Sequence, residues 1–213
     1  MVPLKDDIPT DRLPAVTLAL IVANVLVFLF AGTDGAREHG LVPDDPAPLT
    51  WLTALFVHVG WLHLLGNVLF LWLFGRNVED ALGRARFAGL YLVGGLVASA
   101  AQVAVDPSAT APLAGASGAV AAVMGAYLRL YPWAKVLCVV FLLLFFTVVE
   151  FPVLAFLGLW VAVQAGLELL DPGSVAIAAH VAGLALGLAA ARLLAQRVKT
   201  PESLLARGRA AVS

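Results

Sequence analysis

Apolar stretches about as long as a bilayer is thick recur from one end of this chain to the other, and they restrict it to one broad class of fold. Taking about 20 consecutive apolar residues per crossing, helices are expected near residues 14–32, 60–78, 86–105, 117–132, 151–169 and 174–195. The connectors carry turn chemistry, as in Asp44-Asp45-Pro46-Ala47-Pro48 and Asp106-Pro107-Ser108. Of 213 residues, 62% are hydrophobic and only 13% charged, against about 25% charged in soluble domains. The expected fold is therefore all-α, a polytopic membrane protein built as a bundle of six transmembrane helices.

The same numbers exclude several function classes. A net charge of -1 lacks the concentrated basic surface a nucleic-acid partner requires. A single cysteine, Cys138, permits no internal disulfide and no thiolate-built zinc site. The first apolar segment follows Lys5 and Arg12 as a signal peptide would. It is longer than the usual cleaved core, however, Asp6, Asp7 and Asp11 dilute the basic flank, and further spans follow, so it reads as a retained helix.

Val136 to Val149 is apolar but shorter than a crossing, and Glu150 and Pro152 separate it from the next segment. Charge asymmetry argues against counting it as a seventh span. With six, every Lys and Arg except Arg37 falls on one face, and the positive-inside rule places both termini in the cytoplasm. Val136 to Val149 is then interfacial or tucked against the bundle. Residues 1–13 form a cytoplasmic segment, 14–195 the helical domain and 196–213 a basic cytoplasmic tail. The alanine-rich composition points to a bacterial inner membrane.

Two residues in these spans carry chemistry. Ser117 lies where a loop containing Pro107, Pro112 and Gly115 turns into the fourth helix. That helix is short, so it must begin below the outer surface, and its preceding loop dips to membrane depth, where only protein or a water-filled cavity can surround it. In the first turn, free backbone N–H groups and the helix dipole favour an oxyanion. His180 sits about six residues into the last helix, roughly 9 Å below its outer end. An imidazole inside a span is a functional hypothesis by default. Gly183 and Gly187 follow it as a GxxxG pair, and Gly118, Ala121 and Gly125 offer a matching small face on the fourth helix, so that Gly115, Gly118, Gly183 and Gly187 are expected to serve helix packing. Close contact of these two helices would bring the imidazole to the hydroxyl, as an activated nucleophile requires.

His63 and Asn67, at i and i+4 on the second helix, share one face and could donate two hydrogen bonds to a developing oxyanion. None of the 14 acidic residues falls mid-span, and Glu168 sits at the outer end of the fifth helix. The arrangement expected is a Ser-His dyad rather than a triad.

This set of residues resembles the rhomboid intramembrane serine proteases. The blocks that carry the resemblance are Phe56-Val-His58-Val-Gly-Trp-Leu-His63-Leu-Leu-Gly-Asn67, Gly75-Arg-Asn-Val-Glu79, Gly115-Ala-Ser-Gly118 and Ala179-His-Val-Ala-Gly183. They stand in family order and spacing over about residues 14–195. The resemblance implies six helices around a submerged site, with Ser117 as nucleophile, His180 as base, and His63, Asn67 and the Ser117 backbone N–H as oxyanion hole. It also implies cleavage of single-span membrane proteins in or near their helix, no cofactor and no metal, an outward-opening site, and Glu79 as a structural brace at the cytoplasmic end of the second helix. It departs at two points. Some members place an aromatic ring on the histidine from four positions after the serine, which is Ala121 here. Some also hold the first outer loop with a Trp-Arg pair that Gly32 to Trp51 lacks.

Each residue has a plainer reading. Ser117 among Gly and Ala could be a packing serine, His63 and Asn67 an interhelical pair, and His58 a loop-to-helix hydrogen bonder. Trp51, Trp61, Trp72, Trp133 and Trp160 read as interfacial anchors or core fillers, and Asn24, Gln102 and Gln164 as interhelical contacts. Two other functions compete. One is a non-catalytic relative that binds membrane clients, although such proteins lack the serine or the histidine. The other is a small transporter, which no inverted repeat or intramembrane carboxylate pair supports.

Overall fold

The computed structural model describes residues 2–142, 145–171, 173 and 175–204. Arg207 and Arg209 of the expected tail, and residue 174 at the expected start of the last helix, lie outside them.

Helices stand at all six expected places. The first is α1 (Ala15–Ala31), and two short helices, α2 (Gly35–His39) and α3 (Thr50–Thr53), follow in the loop after it. The second rod runs without a gap through α4 (Trp61–Phe70), a π-helical stretch (Leu71–Gly75) and α5 (Arg76–Leu82), extending beyond the expected end at residue 78. Then come α6 (Arg84–Val105), α7 (Ser117–Leu130), α8 (Val153–Leu170) and α9 (Ile177–Leu194). Among the described residues α6, α8 and α9 are long and apolar enough to cross a membrane, while α1 and α7 are apolar but shorter.

The all-α expectation needs correction. Of the run Val136 to Val149, residues 136–142 and 145–149 lie in two antiparallel strands, β2 (Lys135–Leu142) and β3 (Phe145–Pro152), residues 143 and 144 falling outside the described residues, and the N-terminal β1 (Val2–Asp6) adds to them in the order β1-β2-β3. Too short to span, this run is rich in Val and Phe, which suit a pleated surface. β2 buries Val136 and Cys138 against the bundle. Pro3 lies on the edge strand, where a missing N–H costs least, and a register shift follows it between Pro3 and Lys5. Pro152 ends β3 and starts α8, so the fifth helix begins two residues later than expected.

α7 forms the centre, with an unbroken buried run from Gly118 to Tyr127. It packs between α6 and α9 through missing side chains. A Cβ on Gly187 would collide with the Ala122 carbonyl, one on Gly183 with the Gly118 carbonyl, one on Gly125 with Leu184, and one on Gly118 with the Ala98 methyl. Backbones therefore approach to a distance that only glycine allows.

Charged groups close the face that carries both described ends of the chain. The Asp6 carboxylate accepts hydrogen bonds from Arg76 at 2.5 Å, Asn77 at 2.5 Å and the Tyr127 hydroxyl at 2.6 Å. Burial pushes this carboxyl up from its usual range, opposed by the Tyr127 hydrogen bond and the Arg76 charge. Lys199 meets Asp80 at 2.5 Å, Asp11 at 3.5 Å and the Pro9 carbonyl. Glu79, buried between α5 and α1, accepts the backbone N–H groups of Val16 at 3.0 Å and Thr17 at 2.8 Å and the Thr17 hydroxyl at 2.8 Å. Those N–H groups belong to the first turn of α1, where no intrahelical acceptor exists. Hydrogen bonds to a charged group contribute about 1.5–3 kcal/mol. Glu79→Gln keeps the shape and removes the charge, so it is expected to lower the thermal unfolding midpoint of the detergent-solubilised protein by several degrees. An unchanged midpoint would show that the brace adds nothing.

Candidate active site

The close approach of α7 and α9 has a chemical consequence at the face opposite the termini. His180, one turn into α9, places Nε2 2.8 Å from the Ser117 hydroxyl oxygen at the first residue of α7. His180 is almost fully buried. Its Nδ1 has no hydrogen-bond partner among the described residues, and Glu168 is engaged elsewhere, accepting the Gly173 and Val175 backbone N–H groups to shape the α8–α9 connection. Among the described residues, serine and histidine thus form a pair with no hydrogen-bond partner behind the ring.

The loop leading to Ser117 is held at depth by backbone pairing. Leu113 exchanges hydrogen bonds with Leu41 at 2.8 and 2.9 Å, and the Gly115 N–H donates to the Ala54 carbonyl at 2.8 Å. Leu41 is fully buried. This answers how Gly32 to Trp51 packs without a Trp-Arg pair, since the loop is clipped to the serine loop through main-chain bonds. α7 has 14 residues, or about 21 Å at 1.5 Å per residue, against about 30 Å of hydrocarbon. A helix of that length is shorter than the hydrocarbon is thick.

Gly115 has φ +123°, a conformation disfavoured for residues with a Cβ. A side chain there would run into the His63 imidazole. Expected among the helix-packing glycines, Gly115 lies in the loop before α7 and makes room for this ring, whereas Gly118, Gly183 and Gly187 lie in the α7–α9 contact. The His63 Nδ1 is buried with no hydrogen-bond partner among the described residues. His58 packs edge-on against His63 at 5.1 Å between centroids, and its own Nδ1 lies 3.1 Å from the Phe56 carbonyl. Asn67 is buried and donates Nδ2 to the His63 carbonyl at 3.0 Å, leaving the second N–H of the amide free for another acceptor.

His63, Asn67, Ser117 and His180 line one cleft of about 420 Å³, together with Trp160 and Gln164. That volume is in the range of ligand sites. Trp160, read from sequence as an anchor or filler, packs its ring on His180 at 5.4 Å and a 47° tilt. Ala121, at the position where some rhomboid proteases carry an aromatic, is fully buried beneath the place where a Gly183 side chain would stand. No spacing within α8 marks Trp160: it stands ten residues before the end of that helix, whereas His180 is one turn into α9. Gln102 accepts the Ala179 N–H at 3.3 Å and ties α6 to α9. Asn24 donates to Leu20 and to the Tyr91 hydroxyl between α1 and α6.

An acid-base pair at hydrogen-bond distance, beside a helix N-terminus and two further donors, can support nucleophilic attack on a carbonyl and hold the resulting oxyanion. Among the described residues no group of His, Cys, Asp and Glu is placed to hold a metal.

Comparison with known proteins gives a consistent family result. A family model described as Rhomboid domain matches residues 47–197. The chain is 33% identical over 129 residues to Rhomboid protease GluP of Bacillus subtilis, covering 54% of this chain and 24% of that protein. It is 30% identical over 185 residues to Rhomboid protease GlpG of Pectobacterium atrosepticum, covering 81% and 60%. It is also 31% identical over 164 residues to Rhomboid protein 1, mitochondrial, of Saccharomyces cerevisiae, covering 71% and 44%. The matches thus span less than two thirds of each of these relatives.

Proposed function

Because this chain belongs to the rhomboid family and is an integral membrane protein, we propose that it is an intramembrane serine endopeptidase that cleaves single-span membrane proteins in or near their helix. The observation that carries this reading is the 2.8 Å contact between His180 Nε2 and the Ser117 hydroxyl. In the proposed topology all six rods cross the bilayer, both termini are cytoplasmic, and the cleft opens to the opposite side of a bacterial inner membrane. Residues 14–195 are the catalytic domain.

In the proposed reaction the Ser117 oxygen attacks the scissile carbonyl carbon as His180 Nε2 takes the hydroxyl proton. The Ser117 backbone N–H, His63 and the free N–H of Asn67 receive the negative charge on the carbonyl oxygen. Collapse breaks the C–N bond, with His180 returning the proton to the departing amine and an ester left on Ser117. Water entering the cleft attacks this ester, His180 again accepts a proton, and the acid product leaves with the serine restored. The substrate helix must unwind to present its carbonyl, so segments with small or helix-breaking residues are favoured. α8 is the element that would move aside to admit it. Its buried residues, Val153, Phe156 and Leu157, all lie at its first end, and beyond them Trp160 and Gln164 line the cleft while the remaining residues are partly or fully exposed.

Incubating the purified protein with single-span substrates tests the reading. Ser117→Ala and His180→Ala are expected to abolish cleavage, and Asn67→Ala to reduce kcat by about 10²–10³, the loss typical of one oxyanion donor. If the parent and Ser117→Ala cleave equally, the protease assignment through Ser117 fails, and if neither form cuts while clients still bind, the chain is a client-binding relative.

Trp160 joins the site to the mobile helix, and its substitution separates two roles. If its ring orients His180, Trp160→Ala lowers kcat about tenfold with little change in KM, and Trp160→Phe recovers most of the loss. A rise in kcat for Trp160→Ala would instead make Trp160 a barrier to substrate entry.

A further inference from the structure

A cavity of about 670 Å³ lies away from the cleft, on the face that carries the described ends of the chain. Arg12, Arg84, Arg86, Glu79 and Asp80 line it, and none of the proposed chemistry uses it. We propose that this groove binds the phosphate of an anionic phospholipid in the leaflet the termini face. The inference rests on the reading that the helices cross a bilayer and is independent of proteolysis.

Charge in the groove is arranged asymmetrically. Both acids are buried and occupied: Glu79 takes the Val16 and Thr17 donors, and Asp80 takes the Asp11 N–H and Lys199. All three arginines are exposed. Arg86 gives Nη1 to the Leu194 carbonyl at 2.8 Å, a neutral acceptor that leaves its charge in place. Arg12 and Arg84 have no hydrogen bond or ion pair among the described residues. The positive groups therefore face outward uncompensated while the negative ones are spent inward.

Depth selects the ligand. The groove lies where α1 and α6 begin, at Pro14 and Arg84, and near where α9 ends, so it marks the level at which apolar helix gives way to polar chain. Phosphates of a bilayer occupy that level. Guanidinium groups bind phosphate oxygens in a two-pronged fork, and exposed Leu18 and Val22 continue up α1 as a surface for an acyl chain. A free phosphate offers the same oxygens without that apolar continuation.

The test uses the full chain in phosphatidylcholine vesicles containing spin-labelled phosphatidylglycerol or spin-labelled phosphatidylcholine, and measures the motionally restricted fraction of each. The parent is expected to restrict the phosphatidylglycerol label preferentially. Arg12→Gln with Arg84→Gln should reduce that preference by about fivefold per arginine, the effect of one basic residue near an anionic membrane surface. Arg129→Gln with Arg192→Gln removes equal charge from a neighbouring groove and should leave most of the preference intact. Millimolar inorganic phosphate should not displace the label. Equal losses from the two double variants would mean general attraction to a positive face, and displacement by phosphate would mean a soluble anion is the ligand. Either result, or no preference in the parent, overturns the proposal. Substrate cleavage and thermal unfolding measured on the same variants establish that they are folded, and loss of the lipid preference with cleavage intact separates this site from the protease reading.

Discussion

The backbone contact between α7 and α9 is the constraint on which the rest of the molecule depends. Gly125 on one helix and Gly183 and Gly187 on the other let the two helices touch at the level of carbonyl oxygens. In a lipid environment no hydrophobic force drives helices together, because lipid tails are as apolar as leucine, so close packing must supply the attraction. A helix pair this tight fixes depth and rotation together. His180 then meets Ser117 at 2.8 Å as a result of packing several residues below, and the imidazole needs no carboxylate to hold it in register.

Around that axis the polar groups are divided between the two ends. The terminal end carries the Asp6, Glu79 and Asp80 clusters, which tie β1, α1, α5, α7 and the segment after α9 together. The opposite end carries the uncharged donors of the cleft. Each buried carboxylate is matched by cations or N–H groups, as burial of charge requires. The terminal end is thus rigidly knit, while α8 is held at its first turns and free of buried side chains beyond Leu157. A fixed core with one loosely held wall suits the proposed entry of a substrate helix from the side.

Much of this was legible in the sequence, for physical reasons. Helices of bilayer length announce themselves by apolar run length, and the pairing of Ser117 with His180 followed from equal depth plus matching glycine spacing. The hairpin was not legible as strands. Its apolar run lacks clean alternation, and its partner β1 lies over 120 residues away in a segment that reads as a solvated tail. Trp160 was missed because its contact with His180 crosses from one helix to another, and no spacing rule within α8 reveals it. Gly115 is expected from sequence to serve helix packing, yet its positive φ belongs to the turn that seats His63. The groove at Arg12 and Arg84 was equally hidden, since its charge asymmetry depends on which side chains the fold has already consumed.

The central claim is that the Ser117 oxygen is made nucleophilic by His180. Reaction of the detergent-solubilised protein with a fluorophosphonate, followed by peptide mass spectrometry, tests it directly and needs no knowledge of the substrate. The account requires an adduct on Ser117 that is lost in His180→Ala with the fold intact. An adduct on another serine, or equal labelling of Ser117 without the histidine, would contradict it.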